Sequence, residues 1–131
     1  MAEKNRIERP LSPFMIGQYY RPQLTSMTSI LTRITGNALI VATLMMVWWF
    51  LALAAGPEHF ETAEWWITSW AGNVIMFGSL WAIWYHYLAG LRHLVWDTGK
   101  AMDIPTAEKL GWACIYGSVV LTILTVIIFW I

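Results

Sequence analysis

Charge is what this chain has least of. Of its 131 residues 12% are charged, against about 25% in an ordinary soluble domain. Hydrophobic residues make up 58% of the chain and the mean hydropathy is +0.53. A deficit this large argues against a soluble globule and for a protein whose solvent is lipid. The formal net charge is zero, which argues against nucleic acid as a partner. Cysteine is nearly absent: Cys114 stands alone, which excludes a disulfide within the chain. There is no internal repeat and no low-complexity tract.

The missing charge is also unevenly distributed. All eight Lys and Arg fall in residues 4–33 or 92–109. Three runs without charge, 34–55, 65–91 and 110–131, are each long enough to cross a bilayer, which takes roughly 20 residues at about 1.5 Å rise each. A spanning backbone must satisfy its own hydrogen bonds, so all three are expected to be helices. With their flanking turns they should cover about 26–55, 65–97 and 108–131, in a single all-α membrane domain of residues 1–131. Ala52-Leu53-Ala54 resembles a signal-peptidase site, but the run before it is too long and begins too late for a signal peptide. Thr25 and Ser26 are plausible N-caps for the first helix. Pro10, Pro13 and Pro22 argue against a continuous helix in the arm of residues 1–24.

Orientation follows from Lys and Arg. The arm and first turns carry Lys4, Arg6, Arg9, Arg21 and Arg33, and the second connection carries Arg92, Lys100 and Lys109. The first connection, GPEHFETAE, has no Lys or Arg. The positive-inside rule therefore predicts a cytoplasmic N-terminus and a periplasmic C-terminus. Trp48, Trp49, Trp65, Trp66, Trp70 and Trp130 would then form an aromatic belt at the outer interface.

Polar residues inside such helices cost free energy and mark function. In SILTRITGN, Ser29 and Arg33 share a face, with Gly36 one turn on. Arg33 either snorkels to the headgroups or forms a small polar pocket with Ser29 at the cytoplasmic edge. In WYHYLAGLRHLVWD, His86 lies six residues before the first charge, Arg92. At 100° per residue, His86 and His93 differ by about 20° around the helix axis. Asp97 returns to the same stripe, which reads Ser79, Ala82, His86, Gly90, His93, Asp97 and is small or polar throughout. Small residues beside a histidine admit something broad and flat, and haem iron is the commonest large partner of such a ligand. The bland alternative is a helix-packing seam in which His86 hydrogen-bonds a neighbour. No second histidine lies at matching depth, so a six-coordinate haem would take its other ligand from another chain.

At these residues the chain strongly resembles the cytochrome b membrane anchor of succinate dehydrogenase. The resemblance runs over nearly the whole chain. It includes RPLSP at residues 9–13, the S-x-x-x-R of Ser29 and Arg33, and H-x-x-x-G-x-R-H-x-x-x-D over residues 86–97. It implies that His86 is an axial ligand of haem b, with the other ligand on a second membrane anchor. It implies further that Ser29 and Arg33 line a ubiquinone site, and that Arg33, Arg92 and His93 lie near the haem propionates. His93 and Asp97 become candidate proton relays; for Asp97, pairing with a neighbouring cation is the alternative. The implied partners are the second anchor, an iron-sulfur subunit, a flavoprotein that oxidises succinate, and the bilayer itself, with no succinate chemistry in this chain. One departure stands out: many members have histidine before the first-helix arginine, and this chain has Thr32, which can donate one hydrogen bond but carries no charge. The rival readings are a quinol:fumarate reductase anchor and a cofactor-free structural subunit. A short N-terminus without an Arg- and Ser-rich leader favours a bacterial inner membrane over a mitochondrial one.

Overall fold

The computed structural model describes residues 14, 16, 17 and 20–130, the last without its side chain. The stretch of residues 9–13, the prolines at 10 and 13, the indole of Trp130 and Ile131 lie outside the described residues. Four helices follow in order: α1 (Leu24–Ala55), α2 (Pro57–Thr68), α3 (Trp70–Asp97) and α4 (Ile104–Trp130). Three of them are long and apolar enough to cross a membrane, over Leu24–Ala55, Trp70–Asp97 and Ile104–Phe129.

The extra helix corrects the expected second span, which starts at Trp70 and not at residue 65. Residues of the first connection form α2 instead, with Pro57 in its first turn, where the missing N–H costs nothing. Ser69 then breaks the chain direction. Its hydroxyl accepts from the Gly72 N–H at 3.1 Å and caps α3. A Cβ at Gly72 would collide with the carbonyls of Trp66 and Ile67, so only glycine permits this corner. α2 folds back on α1, with Phe60 edge-on to Trp49 at 5.4 Å and Ala63 fully buried.

The first helix also differs at its start. It begins at Leu24, and the cap is Gln23, whose side chain makes no capping bond. Thr25 and Ser26 lie inside the first turn; Ser26 Oγ instead meets the Tyr20 hydroxyl at 2.6 Å and ties the arm to the helix. The last helix begins at Ile104, ahead of the expected 108. There Asp103 Oδ2 accepts from the Thr106 N–H at 3.0 Å and from its hydroxyl at 2.7 Å. These donors hold the Asp103 carboxyl below its ordinary 3.8.

Packing is carried by small residues, as expected where lipid is as apolar as leucine. Among the buried residues are Ala82, Tyr85, Ala89 and Arg92 on α3, Ala107, Cys114, Ser118 and Thr122 on α4, and Thr28, Thr35 and Ala52 on α1. Large apolar side chains such as Phe50, Leu51, Phe77 and Phe129 are exposed and face outward. Indoles hook α3 to α4: Trp81 donates to Ser118 Oγ at 3.1 Å and Trp84 to Thr125 Oγ1 at 3.0 Å. The start of α1 meets the end of α3, where Arg92 reaches Thr28. Arg21, Arg33, Lys100 and Lys109 belong to this end, while Glu58, Glu61 and Glu64 of α2 lie at the other.

Candidate functional site

α3 carries two parallel lines of residues with opposite fates. Ala82, Tyr85, Ala89 and Arg92 face inward and are buried. Ser79, His86 and Gly90 are half-buried, and His93 and Asp97 are exposed. Ala82, placed by periodicity on the second line, belongs to the first. The histidine stripe thus runs along the border between α1 and the outside of this chain.

His86 is set by α1. Its Nδ1 lies 3.2 Å from the carbonyl oxygen of Thr32 and 3.3 Å from Thr35 Oγ1. A carbonyl can only accept. The Thr35 hydroxyl already gives its proton to the Leu31 and Thr32 carbonyls, at 2.8 and 3.1 Å, so toward the ring it also accepts. Both neighbours therefore call for a proton on Nδ1, which leaves the lone pair on Nε2. Among the described residues none hydrogen-bonds Nε2. Gly36 makes the close approach possible: a Cβ there would stand 3.0 Å from His86 Cε1. Beyond it lies an open cleft of about 360 Å³ lined by Gly36, Leu39, Ile40, Thr43, Leu44 and His86. A Cβ at Gly90, one turn along α3, would meet nothing within 4 Å.

The other residues singled out by the sequence do not all gather here. Arg92 is 4% exposed and turned into the bundle, away from the His86 stripe. Its Nη1 donates to Thr28 Oγ1 at 3.0 Å, its guanidinium lies 4.7 Å over the Trp96 ring, and its Nε is buried without a hydrogen-bond partner among the described residues. Arg33 is exposed and Ser29 half-buried on the side of α1 that continues to Gly36. His93 stands edge-on to Trp96 at 5.1 Å, with Asp97 one turn further. Thr28, Thr35 and Tyr85, which the sequence did not single out, are fully or almost fully buried at this end. The one available signal was the threonine spacing 28, 32, 35, a single face of α1.

The fold and this site define a class: a small three-span helical membrane protein that fixes one imidazole between two spans, with no described residue hydrogen-bonded to its second nitrogen. Comparison with known proteins narrows it. Residues 5–125 match the family described as succinate dehydrogenase/fumarate reductase transmembrane subunit, and the chain belongs to that family. A succinate dehydrogenase cytochrome b556 subunit of Paracoccus denitrificans is 49% identical over 131 residues, 100% of this chain and 99% of its own length. The protein of that name from Rickettsia conorii is 36% identical over 117 residues, 89% of this chain and 90% of its own. A cytochrome b560 subunit from Reclinomonas americana is 33% identical over 128 residues, 94% of this chain and 88% of its own. Three spans and bacterial relatives make this a protein of the bacterial plasma membrane.

Proposed function

We propose that this chain is the membrane anchor of a succinate:quinone oxidoreductase that binds haem b through His86 Nε2 and helps form the quinone-reduction site. The observation that carries this reading is the imidazole itself, with Nδ1–H directed at the Thr32 carbonyl and no described residue on Nε2. A backbone carbonyl on the second nitrogen fixes tautomer and ring orientation and raises ligand basicity, as the outer partners of metal-binding histidines do. The donor set suits a porphyrin, which brings four nitrogens of its own, whereas a bare ion would be left short of ligands. Gly90 leaves open space on the His86 stripe, and the cleft of about 360 Å³ opens at the ring, which is room for a flat group. Bound there, haem supplies a one-electron carrier. A second ligand, if the iron took one, would come from another chain, since His59 lies on α2 at the far end of the bundle and His93 two turns along the same stripe.

Arg33 on α1 and His93 on the stripe itself would meet carboxylates such as propionates through hydrogen bonds, charge-assisted in the case of Arg33. Arg92 was expected to join them, and it reaches them only by giving up Thr28. Ser29 and Arg33 offer a hydroxyl and a cation to a quinone headgroup, and Asp97 with His93 can pass protons at the same end. That end is assigned to the cytoplasm by the positive-inside rule, where the iron-sulfur and flavoprotein subunits would dock. The relatives are named for succinate dehydrogenase, which favours quinone reduction over the fumarate reductase direction.

The test is His86→Leu in the whole complex. The reduced-minus-oxidised b-type spectrum and the low-spin iron resonance should be lost or altered, while the subunits still assemble. A purified variant complex with both signals unchanged refutes the assignment, and a wild-type complex without chromophore supports a purely structural subunit.

A further inference from the structure

We propose that Arg92 and Tyr85 of α3 together grip Thr28 of α1 as a positioning clamp that holds the Thr32 carbonyl against His86 Nδ1. The clamp is read from the side-chain geometry; its consequence for the iron rests on the haem reading above.

An arginine at the end of a spanning helix ordinarily snorkels, laying its stem on apolar surface and its head in water. Arg33, near the start of α1, is exposed. Arg92 turns inward to 4% exposure and leaves its Nε–H without a partner among the described residues, a cost that a merely convenient rotamer would avoid. What it gains is Thr28: Nη1 donates to the Thr28 hydroxyl at 3.0 Å. Two turns earlier on α3, the Tyr85 hydroxyl donates to the Thr28 carbonyl at 3.0 Å. One α1 residue is thus held by two α3 side chains, one on its hydroxyl and one on its backbone. α4 backs it from behind, since a Cβ at Gly111 would stand 3.3 Å from Thr28 Cγ2.

Thr28 leads directly to the histidine. Its carbonyl also accepts the Thr32 hydroxyl at 2.8 Å, and Thr32, one turn on, presents its own carbonyl to His86 Nδ1 at 3.2 Å. Among the described residues, the side-chain hydrogen bonds joining α1 to α3 are those of His86 and those of the clamp. The indole bonds of Trp81 and Trp84 tie α3 to α4 and do nothing for α1. Remove the clamp and, among the described residues, the only side-chain hydrogen bonds left between α1 and α3 are those of His86 itself. A slide or rotation of α1 then changes the Nδ1–carbonyl distance, and with it the basicity of the imidazole.

The test is made on the assembled complex, with its histidines labelled with nitrogen-15. Tyr85→Phe and Thr28→Val each delete one grip, and Thr28→Ser keeps the hydroxyl. The His86 Nδ1 resonance should move toward the value of a non-bonded imidazole N–H in the first two and stay near wild type in the third. The haem midpoint potential should rise in the same two variants, because a weaker Nδ1–H bond makes a poorer donor to ferric iron. An unchanged Nδ1 resonance in Tyr85→Phe, which loses a single oxygen and keeps the ring, overturns the clamp, even if Thr28→Val does not assemble. The outcome is also independent of iron: if His86→Leu keeps its haem signal, the haem reading falls while the nitrogen resonance still judges the clamp.

Discussion

Replacing Gly36 by alanine puts a methyl group where the structure has room for none. The new Cβ would lie 3.0 Å from His86 Cε1, 3.6 Å from Nδ1 and 3.9 Å from Nε2. Carbon atoms settle at about 3.5–4.0 Å, so the imidazole must retreat by roughly half an ångström. Retreat of that size takes the 3.2 Å contact between Nδ1 and the Thr32 carbonyl to a separation of about 3.6 Å or more, which is no longer a hydrogen bond. Two stability terms oppose each other. Alanine in place of a helical glycine contributes about 1 kcal/mol, and overpacking costs about 1–3 kcal/mol. The complex should therefore assemble with little loss of stability while its haem environment changes, and that separation makes the experiment informative. The assay is haem content per complex, with the reduced-minus-oxidised spectrum and the midpoint potential. Gly78→Ala is the control, since a Cβ there meets nothing within 4 Å. Gly90→Ala is equally free within this chain but sits on the His86 stripe, so it should lower haem content if a flat group occupies that side. A Gly36→Ala complex with full haem content, normal spectrum and normal potential would refute the reasoning.

Ser29→Ala and Arg33→Leu should depress quinone reduction by an order of magnitude or so while succinate oxidation by an artificial acceptor survives, a loss of about 1.4 kcal/mol of transition-state binding per tenfold; equal loss of both activities would mean failed assembly and leave no support for a quinone site. At the α4 cap, the Thr106 N–H and hydroxyl hold the Asp103 carboxyl below its ordinary 3.8. A depressed folded-state pKa contributes stability that is present above the unfolded value and is lost as pH falls through the folded one. Amide protection in the first turn of α4, taken relative to the intrinsic exchange rate at each pH, should therefore fall on acidification below about pH 4, and Asp103→Asn, which keeps an acceptor, should abolish that pH response. A single cysteine at Thr98 in a Cys114→Ser background should react with impermeant thiol reagents from the cytoplasmic side; labelling only from the periplasm would invert the topology and move the site to the other face.

Much of the architecture was legible because a bilayer imposes it through composition. Span number, helical class and charge asymmetry follow from hydrocarbon thickness and the cost of moving Lys and Arg across it, and the residues concerned can be counted along the chain. The stripe of His86, His93 and Asp97 was likewise available, since angular position on one helix depends only on 100° per residue. The short helix Pro57–Thr68 was missed because the apolar run 65–91 continues through its end, and the break rests on one hydroxyl at Ser69 and one absent Cβ at Gly72. Which way Arg92 turns was beyond periodicity. At a helix end an arginine can reach outward or inward, and the choice is made by Thr28, 64 residues away in sequence. The same holds for His86. The sequence put an imidazole on a spanning helix, but the acceptor that faces its Nδ1 is the Thr32 carbonyl, 54 residues away. A helix's sequence determines which residues share a face; the neighbour that meets that face, and the hydrogen bond it offers, exists only once the helices have packed.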